Sequence, residues 1–322
     1  MSKIILQVEG LCTSFFTRKG TVKAVDGVSF QVHERETFGI VGESGCGKTV
    51  TGLSILRLLP EPAGRIVGGK VILDGTNLLG LSKKEMRDYR GRMISMILQD
   101  PMTSLNPVYT IGNQIAESIR LHQNLPNNKI REEVISALRL LKIPAPEMRL
   151  RDYPFQMSGG MRQRVVGAIA MSCHPRLLIA DEPTTALDAT IQAQYIALFK
   201  EVQKTTGVAI IFITHDFGVV ANMCHRVAVM YAGKIVETAK TRELFKAPKH
   251  PYTRALIDSV PRLDRKDDRL YSIEGQPPSL MDLPPGCRFF PRCVDACEVC
   301  GEKQPPEVKI GNGHYVSCWK VN

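Results

Sequence analysis

The segment that most constrains this chain is a glycine-rich run between an apolar stretch and a helical stretch. Its residues are Gly42, Glu43, Ser44, Gly45, Cys46, Gly47, Lys48 and Thr49. Their order fits the pattern G-x-x-x-x-G-K-[ST], with apolar residues at 37–41 before it. Glycines let the backbone curl so that N–H groups point inward, and a helix N-terminus adds positive potential. The segment is therefore predicted to bind phosphate, with Lys48 reaching the β- and γ-phosphates and Thr49 completing a Mg²⁺ site.

Length and charge set broad limits. A chain of 322 residues can form one large α/β domain and an appendage. It has no run of about 18 apolar residues, and residues 1–9 lack a signal-peptide core, so we expect a cytosolic protein. The net charge of +10 is spread along the chain, with a modest concentration at residues 262–269. Charge alone favours no partner, and no nucleic-acid partner is expected.

The N-terminal third has the periodicity of strands. Residues 3–8 and 28–32 alternate apolar and polar positions, and Asp26-Gly27 is predicted to form a turn. Residues 68–73 are predicted to form another strand. The apolar run at 93–98 is predicted to form a strand buried on both faces.

The middle of the chain is predicted to be helical. Residues 111–122 and 130–141 have helical spacing, and Asn127 or Asn128 is the predicted cap of the second helix. Pro144 and Pro146 end that helix. Residues 101–165, approximately, are therefore interpreted as a helical insertion in an α/β core.

Buried strands alternate with helices after the insertion. Strands are predicted at 177–180 and 208–213, a helix at 189–204, and a hairpin at 227–231 and 234–238. This alternation predicts a three-layer α/β core, with functional residues where strands end. Asp181 and Glu182 follow the first of these strands, where Asp181 is predicted to hold Mg²⁺ and Glu182 to polarise the attacking water.

Ser158, Gly159 and Gly160 precede a helical stretch at 165–171. They form either a second anion site or an ordinary helix cap with glycines for close packing.

Together these motifs resemble the ABC-type ATPase family over residues 3 to about 260. The matching elements are Gly42–Thr49 (Walker A), Gln99 (Q-loop), Ser158-Gly159-Gly160 (signature), residues 178–182 (Walker B), Ala186-Leu187-Asp188 (D-loop) and His215 (switch histidine). The resemblance implies a P-loop α/β fold with a RecA-like core, an antiparallel β subdomain and a helical subdomain.

The resemblance also implies roles for single residues. Glu182, His215 and Gln99 would be catalytic, and Thr49, Gln99 and Asp181 would hold Mg²⁺. The signature of one cassette closes over the ATP of another, so Ser158, Gly159 and Gly160 would face a partner's γ-phosphate. Met161 stands where the family signature usually has Gln.

A narrower resemblance is to the ATPases of oligopeptide and dipeptide importers, most of all the D-type subunit of a dipeptide permease. It is carried by residues 99–107, 181–188 and 250–253. It implies an ATP-hydrolysing subunit on the inner face of the cell membrane. The implied partners are a second ATPase subunit of the related F-type, two membrane permease subunits and an extracytoplasmic peptide-binding protein. Nickel importers share much of this pattern, so the cargo stays open.

The C-terminal tail is rich in cysteine. Its five cysteines are Cys287, Cys293, Cys297, Cys300 and Cys318. In a cytosolic protein such clustering favours a metal or cluster site over disulfides. Four thiolates hold either a [4Fe–4S] cluster or Zn²⁺. The irregular spacing and the importer resemblance favour [4Fe–4S] on Cys287, Cys293, Cys300 and Cys318, in a structural role.

We therefore predict a nucleotide-binding domain at residues 1–260, with its helical subdomain at about 101–165, and a cysteine-rich C-terminal region at 261–322. A soluble ABC ATPase of DNA repair or translation is one alternative. The chain lacks the long coiled coil and the second cassette of those proteins. A redox-sensing protein is another alternative, which leaves the importer motifs unexplained.

Overall fold

The computed structural model describes residues 3–99, 104–185, 187–260 and 272–321. The start of the predicted insertion, Ala186 of the D-loop motif and the basic residues at 262–269 lie outside this described part. The chain forms two compact units. The first unit contains the described residues of Met1–Ile5, Val32–Glu36 and Gly80–Phe212, and the second those of Leu6–Gln31, Thr37–Leu79 and Ile213–Asn322.

The secondary structure alternates between strands and helices over most of the chain. The strands are β1 (Ile4–Thr17), β2 (Gly20–His33), β3 (Thr37–Val41), β4 (Gly64–Leu73), β5 (Thr76–Asn77), β6 (Ile94–Ile97), β7 (Leu177–Asp181), β8 (Ala209–Thr214), β9 (Arg226–Tyr231), β10 (Lys234–Lys240), β11 (Val308–Gly311) and β12 (His314–Val316). The helices are α1 (Lys48–Ile55), α2 (Lys83–Tyr89), α3 (Ile111–His122), α4 (Asn127–Leu140), α5 (Pro146–Arg149), α6 (Gly159–Met171), α7 (Ala189–Thr206), α8 (Phe217–Met223), α9 (Thr241–Lys246), α10 (Pro251–Asp258) and α11 (Glu298–Glu302).

An antiparallel sheet with the order β2-β1-β4-β5 lies mainly in the second unit. The predicted turn at Asp26-Gly27 is wrong, because β2 runs through both residues. Gly27 has a φ of 74°. Its N–H donates to the Cys12 sulfur at 3.2 Å, and the Asp26 N–H donates to the Gly233 carbonyl at 2.9 Å. These two hydrogen bonds satisfy the backbone N–H groups of Asp26 and Gly27, so β2 continues where the dipeptide alone suggested a turn.

The second unit also contains strands in the order β11-β12-β10-β9-β3. β3 runs parallel to β9, and β9 and β10 form the predicted hairpin around Ala232 and Gly233. β12 pairs antiparallel with β10. The sequence analysis predicted no strand in the tail, so this pairing is a new finding. The tail therefore extends a sheet of the second unit.

The first unit contains β6, β7 and the first four residues of β8, which are successive neighbours, and β6 and β7 are parallel. Every residue of β7 and β8 is buried, as their apolar sequences predict. In β6, Ile94 and Ile97 are buried and lie on opposite faces, and Ser95 and Met96 are partly exposed. The prediction that both faces of this strand are buried is therefore confirmed in part.

Helices α3, α4 and α6 pack against one another in the first unit. Ile115, Ile119, Val134 and Leu138 are among their buried residues. The predicted asparagine cap of α4 is wrong, because Pro126, in extended conformation, takes that position and the helix begins at Asn127. In the described part of the chain, no helix is both long and apolar enough to cross a bilayer.

Candidate nucleotide site

The glycine-rich segment forms a tight loop between β3 and α1 in the second unit. All three of its glycines have backbone angles that other residues rarely adopt, with φ of 154° at Gly42, 78° at Gly45 and 107° at Gly47. A Cβ atom on Gly42 would lie 2.1 Å from the Met230 carbonyl oxygen, and one on Gly47 would lie 2.2 Å from that of Ala24. Close backbone packing therefore excludes any side chain at either position.

Lys48 begins α1 and folds back over this loop. Its Nζ donates to the Gly42 carbonyl at 2.7 Å and to the Glu43 carbonyl at 3.0 Å. Gly47 is the N-cap residue of α1, and no side chain caps the helix. The first-turn amides and the Lys48 ammonium therefore form a cradle suited to phosphate. Cys46 is buried, which raises the pKa of its thiol and keeps it protonated.

Asp181 and Glu182 lie at the end of β7 in the first unit. Asp181 is fully buried, and Glu182 is 9% exposed. Glu182 has a φ of 45°, a left-handed conformation that costs a non-glycine residue on the order of 1–3 kcal/mol. Its Oε2 accepts from Gln99 Nε2 at 3.3 Å and from the Thr185 hydroxyl at 3.1 Å. The structure thus brings together two residues that were predicted as catalytic from distant parts of the sequence.

Gln163 joins the turn after Glu182 to α6, and sequence reasoning missed it. Its side chain is almost fully buried, and its Nε2 donates to the Pro183 carbonyl. Its own carbonyl accepts from the Tyr195 hydroxyl of α7 at 3.1 Å. Gln163 lies just before the predicted helical stretch at 165–171, so no signal in the sequence indicated this role.

The signature residues Ser158, Gly159 and Gly160 lie at the start of α6. The Ser158 hydroxyl oxygen accepts from the Met161 N–H at 3.3 Å, so the predicted helix cap is present. Ser158 is exposed. A Cβ atom on Gly159 would meet nothing within 4 Å, so this face of the helix start is open to an approaching group.

His215 comes directly after β8, belongs to the second unit and is exposed. The next residue, Asp216, caps α8 by accepting from the N–H groups of Gly218 at 2.7 Å and Val219 at 3.2 Å. Asp188 of the D-loop motif caps α7 in the same way, accepting from Thr190 and Ile191 at 3.0 Å. Both motifs therefore place a polar residue immediately before a helix start.

The four cysteines predicted as ligands line one small cavity in the tail. This cavity has a volume of about 10 Å³, and Cys287, Cys293, Cys300 and Cys318 contribute to its wall. Burial, with further contributions from neighbouring thiols, raises the pKa of each of the four, to about 11 for Cys293. Cys297 lies beside them, with its sulfur 3.2 Å from that of Cys300.

Among the described residues, no three or more His, Cys, Asp or Glu side chains are arranged as a metal site. The four cysteines supply the donor chemistry of a thiolate site. A cavity of this size accommodates about one water-sized occupant.

Comparison with known proteins shows the family and the fold. A model of the ABC transporter family matches residues 25–185, and a model of the oligopeptide/dipeptide transporter C-terminal region matches residues 236–300. A solved structure that is part of the cbiONQ ABC transporter complex of Clostridium perfringens has a TM-score of 0.65 and 27% identity, covering 76% of this chain and 92% of its own. The fold is that of an ATP-binding cassette.

Two relatives in Bacillus subtilis (strain 168) match along nearly the whole chain. The dipeptide transport ATP-binding protein DppD is 51% identical over 98% of this chain and 94% of its own length. The oligopeptide transport ATP-binding protein OppD is 48% identical over 99% of this chain and 89% of its own length. The chain belongs to the ATP-binding proteins of the oligopeptide/dipeptide ABC transporter family.

Proposed function

We propose that this chain is the ATP-hydrolysing subunit of an ABC importer that energises uptake of dipeptides and oligopeptides. The observation that carries the proposal is the full-length likeness to dipeptide and oligopeptide transport ATP-binding proteins. The likeness extends to residues 236–300, which match the model of the oligopeptide/dipeptide transporter C-terminal region. The sequence contains every one of the ATPase motifs, which supports ATP hydrolysis as the activity.

Each motif residue has a role in this proposal. The amides of residues 42–49 and Lys48 bind the phosphates, and His215 contacts the γ-phosphate. Glu182 polarises the attacking water, and Gln99 holds the Glu182 carboxylate through its amide. Thr49, Gln99 and Asp181 would hold Mg²⁺, because hydroxyl, amide and carboxylate oxygens are the hard donors it prefers. Bound Mg²⁺ would neutralise phosphate charge during transfer.

The nucleotide site requires a second ATPase subunit. Ser158, Gly159 and Gly160 are proposed to face the γ-phosphate held by that subunit, and the exposed position of Ser158 supports this. We propose a related F-type subunit as the partner, in a heterodimer. ATP binding would close the pair and hydrolysis would reopen it, which shifts the permeases between accessible states.

An exposed apolar surface in the first unit supports docking to membrane permeases on the inner face of the cell membrane. Two backbone hydrogen bonds join the start of α3 to the segment after α5. The Ile111 N–H donates to the Asp152 carbonyl, and the Gly112 N–H donates to the Leu150 carbonyl. Exposed apolar side chains flank this junction: Val108, Tyr109, Met148, Tyr153 and Phe155. Patches of this kind mark interaction sites. The permeases would receive cargo from an extracytoplasmic peptide-binding protein.

The tail cysteines are proposed to hold a [4Fe–4S] cluster as a structural staple. Support comes from Cys287, Cys293, Cys300 and Cys318, which come from separate segments and line one cavity that Cys297 does not line. Anaerobically purified wild-type protein should be brown, with iron and sulfide bound. The variant Cys300→Ser should lose the metal, and the control variant Cys297→Ser should retain it. A colourless protein with stoichiometric zinc would contradict the cluster.

The hydrolytic role of Glu182 is tested by Glu182→Gln in the complex with permeases and peptide-binding protein. We expect MgATP binding to persist, hydrolysis and peptide uptake to fall by at least about a hundredfold, and a closed ATPase dimer to accumulate. Glu201→Gln is the matched control, because Glu201 is an exposed residue of α7 paired with Lys142. Unchanged turnover in Glu182→Gln would contradict the proposed role.

A further inference from the structure

Arg292 of the tail binds the glycine-rich loop at its second residue. It lies in a short 3-10 turn, Phe290–Arg292, immediately before Cys293. Its Nη1 donates to Glu43 Oε2 at 2.7 Å and its Nη2 to Glu43 Oε1 at 3.0 Å. The Arg292 side chain is 4% exposed. Two parallel charge-assisted bonds from a buried guanidinium fix both the distance and the orientation of the carboxylate.

The guanidinium is itself held in place. Its Nη1 lies 3.3 Å from the Tyr231 hydroxyl, and its Nε donates to the Glu274 carbonyl at 3.0 Å. The guanidinium carbon lies 5.8 Å from the ring centre of Tyr231 and 5.9 Å from that of Phe289. Arg292 therefore loses little further freedom when it binds Glu43.

The backbone N–H and carbonyl of Glu43 are hydrogen-bonded as well. Its N–H donates to the Tyr252 hydroxyl at 3.0 Å, and its carbonyl accepts from Lys48 Nζ at 3.0 Å. Tyr252 is fully buried, with ring centres 4.5 Å from Tyr231 and 5.2 Å from Phe289. A movement of Glu43 would therefore disturb the lysine proposed to hold the phosphates.

A second arginine connects the tail to the other end of the loop. Arg288 is buried, and its guanidinium donates to Asp26 and to the Ala232 carbonyl. The next residue, Gly233, donates its N–H to the Cys46 carbonyl at 2.8 Å. The tail thus supports the loop directly at Glu43 and through one intervening residue at Cys46.

We propose that residues 288–292 of the tail position the phosphate-binding loop for nucleotide, with Arg292 as the positioning residue. This inference rests on the proposed role of residues 42–49. Cys287 and Cys293, which flank this segment, both line the cysteine cavity. Coupling is reciprocal: an ordered tail strengthens nucleotide binding, and bound nucleotide orders the tail.

The first test compares Arg292→Gln with Arg254→Gln in the full-length chain. Arg254 is the matched control, because its guanidinium pairs with Asp295 at 2.6 Å and joins the tail to α10 instead of the loop. The dissociation constant of a fluorescent ATP analogue should rise on the order of tenfold in Arg292→Gln and less than about twofold in Arg254→Gln. Adding Glu43→Gln to Arg292→Gln should cause little further loss, because both changes remove the same contact.

The second test measures amide hydrogen exchange and needs no variant. Saturating MgATP should slow exchange in residues 287–293 of the wild-type chain and of Arg254→Gln, but not of Arg292→Gln. No slowing in the wild type would overturn the inference, even if Arg292→Gln failed to fold. Equal loss of affinity in both arginine variants, or none in a folded Arg292→Gln, would also overturn it. A wild-type chain that binds no ATP would instead contradict the assignment of the loop.

Discussion

Polar side chains hold the turn that carries Glu182, and one of them, Gln163, is buried. The left-handed backbone at Glu182 is unfavourable by itself, so neighbouring contacts have to maintain it. Gln99 and Thr185 bind its carboxylate, and Gln163 binds the carbonyl of the following Pro183. These contacts predict that a change well away from the phosphates alters turnover.

The variant Gln163→Leu removes the hydrogen-bond donor to the Pro183 carbonyl, which is then buried without this partner. We expect a loss of about 1–3 kcal/mol in unfolding free energy and a lower kcat, with little change in the KM for ATP. Gln123→Leu is the control, since Gln123 Nε2 donates to the Ser172 carbonyl, at the other end of α6, at 3.1 Å. Steady-state ATPase kinetics and urea unfolding decide the outcome. A kcat equal to that of Gln123→Leu would contradict a positioning role.

His250 makes stability depend on pH. Its ring is buried and caps α10 by accepting from the Tyr252 N–H at 3.1 Å, and burial lowers its pKa from 6.5 to about 3. Between those values the unfolded chain binds a proton that the folded chain does not, so stability falls as pH falls. The loss approaches about 1.4 kcal/mol per pH unit below pH 6.

The variant His250→Asn isolates this contribution, because Asn also caps helices but does not titrate. Unfolding free energies of wild type and variant should converge as the pH is lowered from 7 to 5. A constant difference across this range would show that the unfolded and folded states of wild type bind the same number of protons at His250.

At the scale of elements, the phosphate-binding loop is shaped by its neighbours and not by its glycines alone. Gly47 lies against the Ala24 carbonyl, and Gly42 lies against the Met230 carbonyl of β9. Gly45, which also has positive φ, has nothing within 4 Å of its Cβ position. The three glycines of the motif therefore meet different physical demands.

Alanine substitution distinguishes these demands. Gly47→Ala should lower the unfolding free energy by at least about 3 kcal/mol, because it combines strain with a backbone collision. Gly45→Ala should cost about 1 kcal/mol, because only its backbone angle is unfavourable. Chemical denaturation of both variants without nucleotide measures the costs. Equal costs would mean that the loop relaxes away from Ala24.

At the scale of the whole molecule, the distribution of exposed apolar side chains predicts where the permeases bind. Phe155 is 70% exposed, and its ring stacks on Tyr153 at 5.5 Å beside the start of α3. Large exposed apolar residues next to one another are unusual unless a partner covers them.

The variant Phe155→Glu should therefore abolish co-purification with the permeases, and the ATPase activity of the isolated subunit should persist. Val294→Glu is the control, because Val294 is 86% exposed in the tail and lies outside the proposed docking surface. Normal recovery of permeases with Phe155→Glu would place the docking surface elsewhere. Loss with both variants would indicate a general effect of added charge.

Local sequence predicted the elements better than their boundaries and partners. The buried strands β7 and β8 and the helix α7, which ends at the left-handed Gly207, follow from runs of apolar residues and one glycine. The turn at Asp26-Gly27 and the cap of α4 were wrong, because tertiary hydrogen bonds and Pro126 override local preference. The roles of the motif residues stay predictions that the proposed variants test.

The sequence by itself determined the class of chemistry, because phosphate binding and hydrolysis require particular residues at particular spacings within short segments. Gly42–Thr49, Gln99, Ser158, Asp181, Glu182 and His215 are readable in that way. Only the tertiary structure decided that β12 extends the sheet at β10 and that Arg292 binds Glu43. Those contacts join residues far apart in the chain. Periodicity and spacing within a segment do not indicate which distant strand or side chain that segment will contact. The glycine-rich loop is readable from its own residues, and its support from the tail is not.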